Sequence, residues 1–374
     1  MLKGIDLTVL IGPTLPIPPP RSVMDALTSV QVNSGKGRSG FQLTFTVGKQ
    51  SQVLTTLVPV GYFDPIVTRI IIMVTLRGLP NVLMDGVVTR QEVSASNEPG
   101  HFTLTVTGED LSVLMDIVEL SKPFPSMPEV AQVYAALAPY AMFGVVPIAI
   151  PPIITTVRLP TSRHETQMAT DFAYVTALAR RCGYVFYVEP GPLPFSSIAY
   201  FGPDTRLPIP QAALSVNMDA HSNVDSLSFA LDGLSKKVRV YVIMDPITHK
   251  IPLPIPVPNV NVFKPPMGLR PTVPSKVEFS CSGSQLQPDE MARDILGFMM
   301  NNSDSVTGNG SLDVLRYGRI LRSRMMVGVR GASLAYDGMY YVDSVTHNIK
   351  RGEYKQNFTL SRDGLISNTP RVFV

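Results

Sequence analysis

Hydrophobic and polar residues alternate in several short stretches over the first 110 residues. Residues 23–47, VMDALTSVQVNSGKGRSGFQLTFTV, hold two alternating runs on either side of a glycine-rich connection. A period of two is typical of strands with one buried face, so this stretch predicts a hairpin. Further strands are predicted at 66–76, 83–96 and 100–110. About five or six antiparallel strands are enough for a small barrel or sandwich, and the segment GEDLSVLMDI predicts a short helix packed on it.

Helical periodicity replaces alternation in the middle of the chain. Residues 126–140, SMPEVAQVYAALAPY, begin with a serine, a proline and a glutamate, which favour a helix start. A second helix is predicted after Thr170, because apolar residues recur on one face and Gly183 stands where helices commonly end. Those apolar residues are Phe172, Val175, Ala179 and Cys182. The run YVFYV then predicts a strand, so this section is α+β.

The second half returns to strands. Residues 226–245, SLSFALDGLSKKVRVYVIMD, predict a hairpin with a glycine-containing connection. The proline-rich segment 246–275 predicts an extended, polyproline-like excursion that cannot lie within a central strand. A helix is predicted at 288–300, and strands resume from 312 to 361.

Two distant segments share one layout. Residues 85–111 and 337–365 each open with Asp-Gly and end with an acidic residue near a leucine. A strand valine and a hairpin glycine are seven residues apart in both, and those glycines, Gly100 and Gly352, are expected at positive φ. A duplicated β-unit explains the match, although two unrelated hairpins could match by chance. A trimer of a chain with two such units would carry six of them under a sixfold ring.

Composition narrows the possible functions. Charged residues make up 16% of the 374 residues, against roughly 25% in typical soluble proteins. Hydrophobic residues make up 45%, so much of the surface is expected to face protein. The net charge of +3 and the lack of a Lys/Arg block argue against nucleic-acid binding.

Targeting and redox signals are weak. Cys182 and Cys281 lack zinc or disulfide-framework spacing, which suits a reducing compartment and predicts buried thiols. The apolar run at the N-terminus is too short for a signal peptide. The most apolar stretch, 141–154, is short and interrupted by prolines, so no membrane insertion is predicted.

No motif makes a positive case for an enzyme, a cofactor or a metal. GKGRSG has the GxGxxG spacing but precedes a strand, so it predicts a hairpin loop with Lys36 and Arg38 as solvent or partner contacts. The HET segment at His164 lacks a second zinc ligand because Met168 stands at the fifth position. Cys182 lies on the buried face of its helix and is a poor nucleophile candidate. An acidic pair for glycoside hydrolysis is not marked, although the sequence does not exclude one.

Three segments resemble a known family. ETQMATDFAYVTALARRCGYVFYVEPG resembles a segment of phage late control gene D proteins and of the hub part of valine-glycine repeat spike proteins. YDGMYYVDSVTHNIKRGEYKQNFTLSRDGL is similar to the closing pattern of the same family. With the early LMDGVVTRQEVSASNEPGHFTLTVTGEDLSVLMD, the resemblance covers about residues 20–366, and the order of the motifs is more specific than any one of them.

The resemblance implies a fold and a domain order. The implied class is β-rich α+β, with two tube-like antiparallel β-barrel domains and α+β insertions. The implied units are a first barrel at 1–118, an α+β insertion at 119–215, a second barrel at 216–245 and 306–374, and a proline-rich and helical insertion at 246–305. The helix after Thr170 then belongs to an insertion and serves packing.

The resemblance also implies a function and partners. It indicates a non-enzymatic, homotrimeric baseplate hub of a contractile phage tail or injection system, assembled in the bacterial cytoplasm and joining a sixfold inner tube to a threefold spike. The spike is expected to be a separate protein, because the chain ends at TPRVFV without an OB-fold or needle. Other baseplate proteins are expected partners, and the candidate interface residues are Lys36, Arg38, Phe263 and Lys264. The alternative is a monomeric β-rich hydrolase or carbohydrate-binding protein with an unmarked acidic cleft.

Overall fold

Strands dominate the structure. The computed structural model describes residues 4–95, 99–155, 165–206, 210–244, 252–257, 264–280, 288–300 and 304–368. The strands of the first half are β1 (Ile5–Gly12), β2 (Leu27–Ser34), β3 (Gly40–Gly48), β4 (Arg69–Leu76), β5 (Leu79–Ala95), β6 (His101–Asp110), β7 (Glu119–Phe124), β8 (Val145–Ala149), β9 (Glu165–Thr170), β10 (Val185–Pro190) and β11 (Ser197–Gly202). The strands of the second half are β12 (Gln211–Ser215), β13 (Ser226–Leu231), β14 (Lys237–Met244), β15 (Pro252–Val257), β16 (Gly268–Pro271), β17 (Lys276–Ser280), β18 (Val306–Asp313), β19 (Met326–Arg330), β20 (Gly338–Lys350), β21 (Glu353–Arg362) and β22 (Gly364–Ser367). The α-helices are α1 (Arg21–Ala26), α2 (Glu129–Leu137), α3 (Asp171–Arg181), α4 (Pro288–Met300) and α5 (Val314–Tyr317).

One sheet of twelve strands forms the body of the described chain. Its main path runs β1-β4-β5-β6-β3-β2-β20-β21-β18-β13, and β19 joins β20 and β12 beside this path. All of its pairs are antiparallel except β12 with β19. The predicted hairpin of β2 and β3 and the strands near 66–110 are present. The β-rich α+β class predicted from the sequence is therefore confirmed.

The sheet contains one strand order twice. The first half of the chain contributes β1-β4-β5-β6-β3-β2, and the second half contributes β12-β19-β20-β21-β18-β13. The last five strands of each series pair antiparallel in the same way, while the first strand runs in opposite senses in the two series. We call these two series module 1 and module 2. The duplicated β-unit expected from the sequence is present as these two modules.

Local backbone features repeat between the modules as well. A β-bulge interrupts β5 after Val88 and interrupts β20 after Val342. The amide of Ile66 donates to the Val88 carbonyl, and the amide of Arg324 donates to the Val342 carbonyl. Both donors have positive φ, 68° for Ile66 and 60° for Arg324, which is uncommon for residues with a side chain. Such a shared irregularity makes a chance match of two unrelated hairpins a poor explanation.

The two hairpins differ in length, which shifts one sequence-based equivalence. Gly100 and Gly352 both have positive φ, 82° and 84°, as predicted. The partner of Val93 lies four residues after Gly100, whereas the partner of Val345 lies six residues after Gly352. The equal valine-to-glycine spacing is therefore misleading, because the β5–β6 turn is longer than the β20–β21 turn. The position equivalent to Val93 is His347.

The two modules form a continuous sheet and not two closed barrels within the described part of one chain. The edge strand of module 1, β2, pairs with β20 of module 2 instead of returning to β1. The two modules consequently share one hydrophobic core, to which both contribute Val, Leu, Ile, Phe and Tyr side chains. Burial of this shared core is the main driving force that holds the modules together.

A second core lies in the segment between the modules. There, β8, β11 and β10 form a three-stranded sheet, β7 pairs with β9, and α2 and α3 pack nearby. The Thr170 hydroxyl accepts a hydrogen bond from the Ala173 amide at 3.2 Å, and Gly183 has φ 71° after the helix. Both predicted ends of this helix are confirmed. The segment after β6 forms a 3-10 helix, Leu111–Asp116, with Asp110 as its N-cap.

The predicted hairpin at 226–245 is wrong. Its two runs do form strands, but β13 pairs with β18 in the large sheet, while β14 pairs with β15 and β17 in a separate three-stranded sheet. Alternation reveals that a run is a strand without revealing its partner. A partner far along the chain displaces the adjacent one here.

The proline-rich segment contributes an edge strand where it is described. β15 has proline at every second position and lies at the edge of the three-stranded sheet, paired only with β14. A period of two lets every proline nitrogen face away from the neighbouring strand, as the absence of an N–H donor requires. Residues 246–251 and 258–263 lie outside the described residues. The predicted helix at 288–300 is confirmed as α4.

Gly108 lies on β6, between β3 and β5, and a substitution there tests how closely these strands pack. A Cβ atom at Gly108 would lie 2.3 Å from the Phe41 ring and 2.4 Å from the Val87 carbonyl oxygen. We expect Gly108→Ala to lower the free energy of unfolding by about 1–3 kcal/mol, because the neighbouring backbone must shift. Gly37→Ala is the matched control, since its Cβ meets nothing within 4 Å. Urea unfolding measures both, and equal midpoints for the two variants would contradict the described packing.

The helices of the described residues include none that is both long and apolar enough to span a bilayer.

Candidate assembly interface

The junction between the modules is a strand pair. Residues 29–34 of β2 lie antiparallel to residues 345–350 of β20, with Ser29 opposite Lys350 and Ser34 opposite Val345. On the core side, Val30 and Val32 are buried together with His347. At the junction, the edge of β2 in module 1 is joined to the edge of β20 in module 2 by backbone hydrogen bonds and one layer of buried side chains.

His347 is a polar residue on the buried side of this junction. Its Nδ1 lies 2.8 Å from the Tyr354 hydroxyl and 3.2 Å from the Gln356 amide nitrogen. Burial, with a smaller contribution from the positive charge of Arg322, lowers the pKa of His347 to about 3. The imidazole is consequently neutral at physiological pH and serves as a packed, hydrogen-bonded member of the core.

The opposite face of the large sheet is polar and mostly uncharged. A continuous row of side chains crosses five strands on this face: Ser226, Ser311, Asn357, Thr346 and Asn33. In the neighbouring row, Asn348, Gln31, Gln42 and Thr107 lie opposite one another. Hydroxyl and amide groups of this kind bind water without attracting charged ligands strongly. We call this surface the polar face.

Besides the outer sides of β1 and β12, two strand edges of the large sheet have no neighbouring strand within the described residues. β13 is the last strand of the path and pairs only with β18. Residues 90–95 of β5 lie beyond the reach of β4 and pair only with β6. Apolar side chains stand at both edges, since Val93 and Leu231 are each 44% exposed.

Three of the four predicted interface residues form ion pairs within the chain. The Lys36 ammonium lies 2.7 Å from the Asp343 carboxylate, and Lys264 lies 2.6 Å from Asp204. The Arg38 guanidinium pairs with Asp116 and lies 4.0 Å from the Phe172 ring centroid. Phe263 lies outside the described residues. These side chains attach loops to the body of the chain, and their contact with partner proteins stays a prediction.

The Arg38 contact joins module 1 to the segment after it. Hydrogen bonds from Thr170 and Arg38 lower the pKa of Asp116. Thr170 is also the N-cap of α3, so the same carboxylate holds the glycine-rich loop and the helix start together. GKGRSG is followed by β3, and the hairpin-loop interpretation of this motif is confirmed.

Buried ion pairs connect other parts of the chain. Arg69 on β4 and Asp85 on β5 are 4% and 2% exposed and form two hydrogen bonds of 2.7 Å. Arg206, after β11, pairs with Asp304 before β18. Burial raises the pKa of Asp304, but the charge and hydrogen bonds of Arg206 outweigh it, and the net pKa is lowered. The first pair joins two strands of module 1, and the second attaches the segment after β11 to the start of β18 in module 2.

Few reactive or metal-binding groups are found in the described part of the chain. Cys182 is buried at the end of α3, as predicted. Among the residues that the structure describes, no three His, Cys, Asp or Glu side chains lie close enough to hold a metal ion. His164 lies outside the described residues.

The sequence-based reasoning missed the two open edges and His347. The signal for β13 is its uncharged run of six residues, SLSFAL, which has no charge or proline to prevent pairing with another strand. The signal for β5 was its length of 17 residues, which exceeds what β4 can cover. His347 has no signal of its own, because its burial follows from the pairing of β2 with β20.

Comparisons with known proteins identify the fold. No protein-family model matches the sequence, and no curated protein matches it either. Among solved structures, a tail protein from Neisseria meningitidis has a TM-score of 0.62 at 14% identity, with 97% of this chain and 98% of that chain covered. A 43 kDa tail protein of prophage MuSo2 from Shewanella oneidensis has a TM-score of 0.62 at 12% identity, with 96% and 100% covered.

A secretion protein is similar as well. A component of the E. coli type VI secretion system, described as structurally similar to the T4 bacteriophage tail proteins gp27 and gp5, has a TM-score of 0.53 at 12% identity. It covers 92% of this chain and 77% of its own. The chain therefore has the fold of phage tail and type VI secretion proteins, and the resemblance to contractile tail hubs is confirmed at the level of the fold.

Proposed function

We propose that the protein is the structural hub of a contractile phage tail or contractile injection system, acting as a homotrimer. The observation that supports this most is the repeated module. One chain presents two copies of the same strand order, joined edge to edge. Three chains would present six modules to a sixfold partner while keeping only threefold symmetry elsewhere.

The continuity of the junction supports a ring. Strands continue from one module into the next as one sheet, and each module would complete a tube-like barrel domain within the ring. The barrel domains would lie at 1–118 and at 216–245 with 306–374, and the insertions at 119–215 and 246–305. The polar face would line the central channel, because the opposite face is filled by the hydrophobic core.

A neutral channel wall suits passage of a long polymer. Ser, Thr, Asn and Gln side chains dominate the rows that cross the junction. The basic groups on this face, Arg90, Lys350 and Lys355, are few, and Arg90 and Lys355 are ion-paired with Glu92 and Glu353. The wall therefore offers little free positive charge to hold phosphate. We propose that this hub lets its cargo slide and does not bind it.

The proposed partners follow from the two symmetries. An inner tube ring would contact the sixfold side, and a separate spike would contact the threefold side, with other baseplate proteins around them. Lys36, Arg38, Phe263 and Lys264 are the proposed loop contacts. The hub would assemble in the bacterial cytoplasm and then be part of the particle, without catalytic activity.

Mass photometry of the purified protein, combined with negative-stain images, tests this proposal. We expect a species of three times the 40.8 kDa chain mass, with threefold or pseudo-sixfold class averages. A monomer that hydrolyses a substrate or binds a carbohydrate would contradict the hub and support the alternative enzyme or lectin function.

A further inference from the structure

The two open strand edges match the two edges that already pair inside the chain. We propose that β13 of one copy pairs antiparallel with residues 91–95 of β5 in the next copy, in the register of the internal β2–β20 junction. This inference rests on the proposed trimer and names the contact that would hold it together. The register between copies follows from the positions that are equivalent in the two modules.

The first equivalence is between β2 and β13. Each is the outer neighbour of a strand, β3 or β18, that pairs on its other side with the second strand of the long hairpin. Thr105 and Asn357 each lie five residues after the turn glycine of their module, Gly100 or Gly352. Across the sheet, Thr105 aligns with Ser29 and Asn357 aligns with Ser226, so Ser226–Leu231 occupy the positions of Ser29–Ser34. The six residues of β13 therefore correspond to the six residues of β2 that pair with β20.

The second equivalence is between β5 and β20. Both are long strands covered by one neighbour up to the β-bulge, after Val88 or Val342. Beyond the bulge, β20 pairs with β2, while the same edge of β5 is open. Counting from the bulges places Gln91, Val93 and Ala95 at the positions of Val345, His347 and Ile349.

Combining the two equivalences gives a register between copies. Phe229 would lie opposite Val93 of the next copy, as Val32 lies opposite His347 within the chain. Leu231 would lie opposite Gln91, and Ser228 would lie opposite Ser94 on the polar face.

The backbone donors point in the required direction. The amide of Asp232 donates to the Ser305 carbonyl, which continues β18. Hydrogen-bonding direction alternates along an antiparallel strand, so the amides of Leu227, Phe229 and Leu231 point away from β18 toward the open edge. On β5, Val88 bonds toward the β4 side, and the residues facing that side after the bulge are Gln91, Val93 and Ala95. The open edges consequently present complementary donors and acceptors.

The side chains of β13 also lack what would prevent pairing. Edge strands that stay unpaired usually carry an inward charge, a proline or a bulge. SLSFAL has none of these, and Leu231 is 44% exposed. Val93 is 44% exposed, whereas the equivalent His347 is 4% exposed because β2 covers it. A second β13 would cover Val93 in the same manner.

This contact is head to tail. Each copy would give β13 to one neighbour and receive a β13 on β5 from the other, so copies add in one direction and either close into a ring or grow as a filament. Because the contact repeats the internal junction, every module would meet the next through the same strand pair. Three copies then close when each junction turns the chain by one sixth of a circle.

A cysteine pair tests the register. Ser228 and Ser94 would form a pair without mutual hydrogen bonds, with Cα atoms about 4.5 Å apart, which is within disulfide range. We expect oxidised Ser94→Cys/Ser228→Cys protein to give a ladder of two and three linked chains on non-reducing gels, with no larger band. Ser94→Cys/Ser226→Cys is the matched control, since its two residues would be about 7–8 Å apart. The matched pair should give roughly tenfold more linked trimer than the control.

A second variant keeps the test decisive if the cysteine protein folds poorly. Val93→Lys places a charge in the proposed contact while leaving the single chain intact, and it should raise the concentration for half-assembly at least roughly tenfold. Leu79→Lys, on the same strand and 71% exposed, is the control and should assemble normally.

The outcomes separate the two proposals. A trimer that forms without the 94–228 linkage and tolerates Val93→Lys would overturn the strand pairing and leave the hub intact. A wild-type protein that is monomeric at every concentration would contradict both. A ladder that continues past three chains would contradict ring closure.

Discussion

Asp85→Ala should lower the free energy of unfolding by about 3–5 kcal/mol, because it leaves a buried arginine without its counter-ion. The Arg69 guanidinium donates from Nε and Nη2 to the two Asp85 oxygens, each at 2.7 Å. The Ser197 hydroxyl lies 3.4 Å from the same carboxylate and belongs to β11. The variant therefore weakens both the β4–β5 pair and its attachment to the second core. Urea unfolding followed by circular dichroism measures the effect.

Two further variants test whether burial of the ion pair causes the loss of stability. Arg69→Met/Asp85→Leu removes both charges and should recover most of the stability. A buried ion pair contributes little more to the free energy of unfolding than an apolar pair of similar volume. Glu353→Ala breaks an exposed pair with Lys355 and should leave the unfolding midpoint unchanged. If Asp85→Ala were no more destabilising than Glu353→Ala, the Arg69–Asp85 pair would not be buried as described.

Acidification should lower the free energy of unfolding, because His347 is buried at the junction between the modules in its neutral form. Burial holds the pKa of His347 near 3, whereas an unfolded histidine has a pKa near 6.5. Between these values the unfolded chain binds a proton that the folded chain does not, so stability falls as the pH decreases. The loss amounts to about 1.4 kcal/mol for each pH unit below 6.5. Urea midpoints measured between pH 7 and pH 5 should decrease accordingly.

His347→Gln isolates this contribution. Glutamine keeps a hydrogen-bonding group near Tyr354 but does not titrate, so the difference in stability between pH 7 and pH 5 should shrink. His101→Gln, at an exposed position, should keep the wild-type pH dependence. Equal pH dependence in the wild type and His347→Gln would show that the imidazole is not buried in its neutral form.

The local predictions succeeded where one face of an element decides its structure. Alternation located β2, β3, β5 and β6, because each of these strands has one core face and one polar face. Thr170 and Gly183 marked the ends of α3 through backbone requirements that involve only nearby residues. Gly100 and Gly352 were identified for the same reason, since a tight turn needs a residue that tolerates positive φ.

Predictions that depend on distant partners were less successful. The strand pattern of β13 and β14 is correct, but their partners are β18, β15 and β17 and not each other. Lys36, Arg38 and Lys264 were chosen as loop contacts, and each has an acidic partner that lies far away in the sequence. Pairing across such distances leaves no trace in a local pattern.

The sequence alone determined that this is a strand-rich chain with a repeated unit, because strand periodicity and turn residues act over a few neighbouring positions. Tertiary structure decided which edge of each module meets the other and which face becomes the core. It also decided the register of the repeat, since turn length and β-bulges shift the count between Val93 and His347. Those choices come from the burial of a shared core between strands hundreds of residues apart, which no local pattern specifies.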